Sequence, residues 1–134
     1  MKLLLLGSIG VVAETSELQR KAYNMAFAQH GLDWYWNVAN YCELLRQPGG
    51  MKRLTSYSSG TLPNDLFLKI HKSKGIFFKE LLRDGISCRL GVAECLRACV
   101  QNGVKIGFIT TTTNDNILLL KEALKSHINF DDFD

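Results

Sequence analysis

The chain has 134 residues, which is enough for one domain core and too few for two of ordinary size. Hydrophobic residues make up 46% and charged residues 22%, with 2 Pro and 11 Gly, which excludes collagen-like, coiled-coil and largely disordered proteins. The formal net charge of +3, from 16 basic and 13 acidic residues, is too small to predict binding to nucleic acid or to an anionic membrane. An ordinary globular domain is the class that remains.

The first thirteen residues fit two interpretations. Met1 and Lys2 precede an apolar run, residues 3–13, that ends in Val-Val-Ala, which is the outline of a signal peptide. The same residues also fit a buried parallel strand at 3–6 that runs into a Gly-Ser-Ile-Gly turn. The local pattern does not decide between the two, and the run is too short to span a bilayer.

Helices are predicted from residue 16 to residue 85. Ser-Glu-Leu-Gln at 16–19 fits a capping box, and apolar residues then recur at helical spacing up to Gly31. The aromatic run at 34–36 is typical of a packed helix corner. A short helix at 38–46 ends in Gln-Pro-Gly-Gly, and a long helix capped by Asp65 ends at Asp84-Gly85. The basic residues of the long helix predict a solvated face: Lys72, Lys74, Lys79 and Arg83.

Glycines and cations lie together after Pro48. Gly49 and Gly50 would expose backbone N–H groups next to Lys52 and Arg53, which suits an anion. A plain turn between two helices, with solvated charges, explains the same residues and is favoured by the local pattern.

The four cysteines include no Cys-x-x-Cys pair: Cys42, Cys88, Cys95 and Cys99. Two of them, at 95 and 99, fall with Val92, Leu96 and Val100 on the apolar face of a predicted helix, which favours buried free thiols in a reducing compartment over two disulfides. The three histidines, His30, His71 and His127, are isolated in sequence. No zinc or other metal site is therefore expected.

The last third of the chain has the pattern of an α/β sheet. A helix that begins near Val92 closes at Asn102-Gly103, an apolar strand follows at 104–109, and a further helix runs through Leu124. A short third strand is also predicted near 130–133. The turn at 110–116, Thr-Thr-Thr-Thr-Asn-Asp-Asn, lies beyond the strand's carboxyl end, where such sheets bind ligands. Its hydroxyls and the helix start suit a phosphate, although a loop that only caps the helix has the same composition.

In this order the pieces resemble the haloacid dehalogenase superfamily, specifically its β-phosphoglucomutase-like branch with a helical cap. The resemblance rests on the strand at 3–6, Ala-Glu-Thr-Ser-Glu at 13–17, Gly-Leu-Asp-Trp at 31–34, the glycines before Arg53, and the threonine turn at 110–116. It favours the strand over the signal peptide.

The resemblance implies a Mg²⁺-dependent phosphatase or phosphoglucomutase with two aspartates after the first strand. One is the nucleophile, and the other, two residues on, is the general acid and base. These positions fall on Gly7 and Ile9, so both carboxylates are missing and no Mg²⁺ site of family strength is expected. Ser8, the one hydroxyl in that turn, is the candidate catalytic residue. A lysine and an acidic pair of the family would lie beyond residue 134.

The resemblance also implies binding residues. Thr110 matches the threonine that holds the phosphoryl group, Thr111 follows it, and Asn116 matches an asparagine a few residues on. The substrate-phosphate loop of the cap matches Gly49, Gly50, Lys52 and Arg53.

We therefore predict an α/β fold: an incomplete Rossmann-like parallel sheet of residues 1–14 and 86–134, with a helical cap of residues 15–85 inserted. The expected protein is a truncated or catalytically inactive family member that binds phosphate or a phosphorylated small molecule. The alternative is an active enzyme whose chemistry depends on other residues or on an absent C-terminal half. We expect no cofactor, no nucleic acid and no membrane as partners, and self-association or a protein partner at the sheet edge. The expected location is the cytoplasm, with the stroma of a plastid or another organelle as the alternative.

Overall fold

A computed structural model describes residues 1–133, and this part of the chain forms two strands, six α-helices and a short 3₁₀ helix. In chain order the elements are β1 (Leu3–Gly7), α1 (Ser16–Gln29), α2 (Val38–Leu44), α3 (Gly50–Ser58), α4 (Asn64–Leu82), α5 (Val92–Gln101), β2 (Lys105–Ile109), α6 (Asn114–Leu124) and the 3₁₀ helix Phe130–Asp132. The predicted α/β class is confirmed. The chain divides into two compact units: a sheet unit of residues 1–16 and 82 onwards, and a helical unit of residues 17–81. The prediction of functional domain boundaries stays a prediction.

The sheet unit is built on β1 and β2, which pair in parallel. Leu3 lies opposite Lys105 and Gly7 opposite Ile109, so the two strands end at the same level. One face of this pair packs into a core whose buried members are Val12, Ala13, Leu96, Ile106, Leu120, Leu124 and Ile128. Residues 3–6 are therefore a strand, as the resemblance implied.

The other face of the two-stranded sheet exposes large apolar side chains. Side chains alternate between the faces of a strand, so Leu3, Leu5 and Ile109 share one side of the pair. Their exposed fractions are 53%, 51% and 58%. Parallel sheets are ordinarily covered on both faces. This solvent-exposed face of a parallel pair is therefore unusually apolar.

The helical unit has a separate, aromatic core. Its buried members are Tyr23, Ala26, Phe27, Trp36, Tyr41, Leu54, Phe67 and Ile70. Trp36 is fully buried, with its ring centre 4.8 Å from that of Tyr23 and 4.9 Å from that of Phe27. The prediction that the 34–36 run packs a helix corner is confirmed for Trp36, whereas Tyr35 is exposed.

Two predicted helix starts are wrong in detail. The N–H and the hydroxyl of Ser16 both donate to the carboxylate of Glu14, and no capping box forms with Gln19. Glu14 lies two residues before the first residue of the helix, so its carboxylate reaches the free N–H of Ser16. Asp65 lies inside the first turn of α4, which begins at Asn64, and pairs with Lys69 at 3.3 Å.

The predicted burial of the cysteines is also wrong in part. All four are free thiols, but Cys42 and Cys95 are exposed, and Cys88 and Cys99 are half-buried. Val100, predicted on the same apolar face, is 47% exposed. Only Leu96 of α5 is buried, because a sheet of two strands spaced about 5 Å apart covers a narrow strip of the helix.

No third strand forms near residues 130–133. The N–H of Asp131 donates to the side chain of Asn129, which begins the 3₁₀ helix and interrupts any extended ladder. The rings of Phe130 and Phe133 pack on Phe108, at 6.2 and 5.2 Å between centres. Within residues 1–133, no helix combines the length and the apolarity needed to cross a membrane.

Candidate functional site

The sheet unit brings two hydroxyl groups together at the carboxyl ends of its strands. Ser8 directly follows β1 and Thr110 directly follows β2, and because Gly7 lies opposite Ile109 the next residues are also neighbours. The distance from Ser8 Oγ to Thr110 Oγ1 is 2.8 Å, and Ser8 is buried. This is the edge at which α/β sheets bind ligands.

The threonine turn continues this pair into a hydroxyl network. The N–H of Thr112 donates to Thr110 Oγ1 at 3.2 Å, and Asn116 Nδ2 donates to Thr112 Oγ1 at 2.9 Å. Thr113 caps α6 by accepting from the N–H of Asn116. Thr110 and Asn116 therefore share one network, whereas Thr111 is exposed beside it. Hydroxyls and N–H groups at a helix start are donors suited to an anionic oxygen.

No carboxylate stands at residues 7 and 9, where the resemblance implies the nucleophile and the general acid and base. A Cβ added at Gly7 would lie 3.4 Å from Val11 Cγ2 and 3.9 Å from Ile109 O, which is ordinary contact. Ile9 is 41% exposed. The surroundings of Gly7 therefore leave room for a Cβ, and the sequence has none there.

Glu14 is the carboxylate next in the chain, and its oxygens are engaged. The pKa of Glu14 is lowered, first by the hydrogen bond from the Ser16 hydroxyl and further by the Ser16 N–H and Arg89. Arg89 Nη2 lies 3.3 Å from Glu14 Oε2. Glu14 thus holds the start of α1 and the segment before α5 together.

These residues do not fit Mg²⁺. The donors at the strand ends are neutral hydroxyls that bond to one another, whereas Mg²⁺ prefers carboxylate oxygens. Among residues 1–133, no group of three or more His, Cys, Asp or Glu side chains is placed to hold a metal ion.

In the helical unit, the predicted phosphate loop lies at the start of α3. Gly49 precedes the helix with a φ of 98°, and Lys52 is exposed. Arg53 instead points back: Nε donates to Leu44 O at 3.0 Å and Nη2 to Gln47 O at 3.2 Å. Its guanidinium also lies 5.6 Å from the ring centre of Tyr41. Arg53 therefore holds the loop as well as supplying positive charge.

Gly50 is needed for close approach. A Cβ at Gly50 would overlap the hydroxyl of Tyr23 and lie 3.2 Å from His71 Nε2. The first residue of α3 is thus packed against two polar groups from α1 and α4. Gly50 is recognisable in the sequence for its N–H group, whereas nothing in the sequence marks Tyr23 or His71.

Lys74 contradicts the prediction of a solvated face. It is 6% exposed, with Nζ 5.2 Å from the ring centre of Tyr23 and 5.0 Å from that of Phe78. Lys74 is four residues from both Ile70 and Phe78, which are buried, so helical spacing puts it on the inner face of α4. The helical spacing therefore indicates that Lys74 is buried, whereas its charge alone predicted that it is exposed.

Together, Tyr23, Arg53, His71 and Lys74 form what we call the cationic cluster. Burial, and then the charge of Arg53, lowers the pKa of Lys74 to about 8. Burial, and then Lys74, lowers the pKa of His71, and burial raises the pKa of Tyr23 against the opposing effect of Arg53. Within the described residues no carboxylate pairs with Arg53, His71 or Lys74. Uncompensated positive charge in a buried setting favours an anion.

Comparisons with known proteins found relatives that are similar in sequence and relatives that are similar in fold. The chain is 36% identical over 121 residues to the protein CbbY of Rhodobacter capsulatus, which covers 87% of this chain and 53% of that protein. Its fold matches a crystal structure of an aspartate-to-asparagine mutant of CbbY from Rhodobacter sphaeroides in complex with xylulose-(1,5)bisphosphate. The TM-score is 0.87 at 31% identity, over 99% of this chain and 61% of that one. A β-phosphoglucomutase from Clostridium difficile, at 16% identity and a TM-score of 0.79 over 100% and 60% of the chains, shares the fold.

No family model matches the chain. The similarities in sequence and fold nevertheless support the haloacid dehalogenase superfamily, with phosphatase-like hydrolases among the relatives, as the resemblance predicted. The chain spans about half the length of the curated relative described above, 53% of CbbY from Rhodobacter capsulatus. The branch within the superfamily and the roles of individual residues stay predictions.

Proposed function

We propose that this chain is a β-phosphoglucomutase-like family member that binds phosphorylated small molecules, in particular sugar phosphates or sugar bisphosphates, without transferring the phosphoryl group. The observation that carries the proposal is the paired hydroxyls of Ser8 and Thr110 at the carboxyl ends of both parallel strands, next to the start of α6. The relative from Rhodobacter sphaeroides, bound to xylulose-(1,5)bisphosphate, supports a sugar bisphosphate as the ligand class.

The cationic cluster supports the same ligand class from the helical unit. Arg53 and Lys74 supply positive charge without a carboxylate partner among the described residues. Each charge-assisted hydrogen bond to a phosphate would contribute about 1.5–3 kcal/mol before the costs of association.

The absence of phosphoryl transfer is inferred from Gly7 and Ile9. A glycine has no nucleophile, an isoleucine has no proton to exchange, and losing a nucleophile typically costs about 10⁴–10⁶ in rate. Ser8, the remaining candidate, shares its hydroxyl with Thr110, and no base contacts it among the described residues. Ser8 is therefore assigned to binding rather than to attack on phosphorus.

Binding is tested by titration calorimetry with inorganic phosphate and with xylulose-(1,5)-bisphosphate. Thr110→Val keeps the shape of the side chain and removes the hydroxyl, so we expect the affinity to fall by about tenfold. Thr55→Val, on the exposed side of α3, is the matched control and should bind like the wild type. A wild-type protein that gives no heat at millimolar ligand, or a Thr110→Val variant with unchanged affinity, would contradict the proposal.

The absence of turnover is tested by restoring the two carboxylates. The wild type should hydrolyse p-nitrophenyl phosphate at the background rate, with or without Mg²⁺. The Gly7→Asp/Ile9→Asp variant should fold, because a Cβ at Gly7 meets only ordinary contacts, and should gain Mg²⁺ binding measurable by calorimetry. Turnover by the wild type that depends on Mg²⁺ would support the alternative, in which other residues supply the chemistry.

A further inference from the structure

We propose that Cys95 and Cys99 together bind one soft, thiophilic cation, Cu(I) being the ion whose chemistry fits them best. Both residues lie on α5 in the sheet unit, so the inference does not depend on the proposed binding of phosphorylated molecules. It departs from the expectation of no metal site, which rested on the lack of a Cys-x-x-Cys pair.

The two thiols lie one turn apart on one face of α5. Cys95 and Cys99 are four residues apart in a helix that is continuous over Val92–Gln101. Residues at this spacing are neighbours on a helix surface, and two histidines at the same spacing bind the zinc ion of metalloproteases. The Cys95 and Cys99 thiols are close enough to share a hydrogen bond. The helix therefore brings two sulfur ligands to one point.

The spacing suits a shared ion better than a disulfide. Cβ atoms four residues apart on a helix are separated by about 5–6 Å, whereas a disulfide requires about 3.5–4.5 Å. An ion between the sulfurs replaces the single S–S bond by two metal–sulfur bonds of about 2.3 Å each, which lengthens the bridge. Oxidation of the pair would therefore distort α5, and chelation of an ion would not.

The number and type of the ligands select the ion. Structural zinc takes four ligands, and among residues 1–133 no group of three or more His, Cys, Asp or Glu side chains is placed to hold a metal. Thiolates prefer Cu(I), and two of them are enough to bind it. Binding displaces both thiol protons: Cu⁺ and two RSH give Cu(SR)₂⁻ and two H⁺. Copper keeps its oxidation state, so the step needs no oxidant or reductant.

The pair is accessible to an ion from solvent. Cys95 is exposed and Cys99 is half-buried. Burial, and then Cys95, raises the pKa of the Cys99 thiol, which therefore stays protonated at neutral pH until a cation displaces the proton. Cys42 lies in the helical unit and Cys88 lies before α5, outside any helix. Neither has a second cysteine at helical spacing, so both serve as single-thiol controls.

The test is an anaerobic titration of the full chain with Cu(I), in competition with the coloured chelator bicinchoninate. We expect one Cu(I) per chain. The affinity should fall by about a hundredfold or more in Cys95→Ser and in Cys99→Ser, because the second sulfur binds within the same molecule. Cys42→Ser and Cys88→Ser should bind like the wild type. Equal affinity in the wild type and the Cys95→Ser or Cys99→Ser variants would overturn the inference, as would one Cu(I) bridging two chains.

A variant with its thiols on different faces separates chelation from the mere number of thiols. Cys99→Ser/Arg97→Cys keeps two thiols on α5 but turns them about 200° apart, at about 100° per residue. Arg97 is exposed and pairs only with Glu94, at 3.5 Å, so its loss should leave the fold intact. This variant should bind Cu(I) as weakly as Cys99→Ser, with circular dichroism confirming the helix content, and wild-type affinity would contradict the paired site.

Phenylarsine oxide gives a second measurement that does not involve copper. It condenses with two neighbouring thiols and releases one water, with no change in oxidation state. Intact mass should show one adduct on the wild type that survives excess β-mercaptoethanol and is removed by dithiothreitol. Cys95→Ser and Cys99→Ser should lose this resistant adduct, and its persistence in either variant would assign it to other thiols.

Discussion

At the scale of single residues, Gly50 and Gly75 should respond to alanine in opposite directions. A Cβ at Gly50 would overlap the hydroxyl of Tyr23, whereas one at Gly75, inside α4, meets nothing within 4 Å. Overpacking should make Gly50→Ala less stable by about 1–3 kcal/mol. The smaller entropy of the unfolded chain should make Gly75→Ala more stable by about 0.5–1 kcal/mol. Urea unfolding measures both, and a shift of the same sign in the two variants would contradict the structure.

Lys74 should give the free energy of unfolding a distinctive dependence on pH. Its pKa is lowered from 10.5 to about 8, so between these values the unfolded chain binds a proton that the folded chain has released. Stability therefore rises with pH across this window, and below pH 8 the full cost of burying the charge is present. The wild type should gain about 3 kcal/mol relative to Lys74→Met between pH 7.5 and 10.5. Urea unfolding of both proteins at the two pH values measures the difference. The same change in the free energy of unfolding in both proteins would exclude a buried, destabilised cation at Lys74.

At the scale of elements, the start of α6 depends on Thr113. Its side chain accepts from the N–H of Asn116, so Thr113→Ala should cost about 1 kcal/mol in stability. Thr111→Ala is the matched control, since that side chain is exposed and makes no hydrogen bond within the described chain. Thermal unfolding followed by circular dichroism compares the two, and an equal loss in both would mean that the cap is not formed.

The elements predictable from the sequence are those that follow a simple period. β2 and the helices α1, α2, α4, α5 and α6 follow from apolar spacing, and Gly or Pro residues mark most of their ends. The local pattern left β1 open, and the resemblance favoured it. Phe130 and Phe133 gave a false strand, because two apolar residues near a turn satisfy a strand pattern and equally a 3₁₀ helix packed on Phe108. Cys95 and Val100 have the spacing of the apolar face of a helix, yet both are exposed. The spacing does not indicate how wide the sheet is against which the helix packs.

The part of the candidate site that could be predicted consists of residues that follow paired strands of the sheet. Ser8 and Thr110 follow paired strands, so their proximity follows from parallel register. Tyr23 and His71 lie on different helices, and nothing in their spacing along the chain indicates that both touch Gly50. Such contacts depend on helix packing angles, which a single sequence does not state.

At the scale of the whole molecule, the exposed apolar side chains on one face of the sheet should control association. Leu3, Leu5 and Ile109 expose more than half of their surface on one side of β1 and β2. We expect sedimentation velocity to show association that grows with concentration, because an exposed apolar patch on an open parallel sheet recruits a second surface. Leu5→Gln/Ile109→Gln should reduce that association. Leu118→Gln, at a 64% exposed position of α6, serves as the control. A wild type that stays monomeric at high concentration would contradict this expectation.

The free cysteines make the chain suitable for distance measurements without mutation. Cys42 lies on α2 in the helical unit and Cys95 on α5 in the sheet unit, and both thiols are exposed. Exposed thiols react faster with maleimides or methanethiosulfonates than shielded ones, so brief labelling would modify these two before Cys88 and Cys99. A pair of spin labels on the natural sequence would then report the separation of the two units by pulsed electron resonance, before and after a sugar bisphosphate is added.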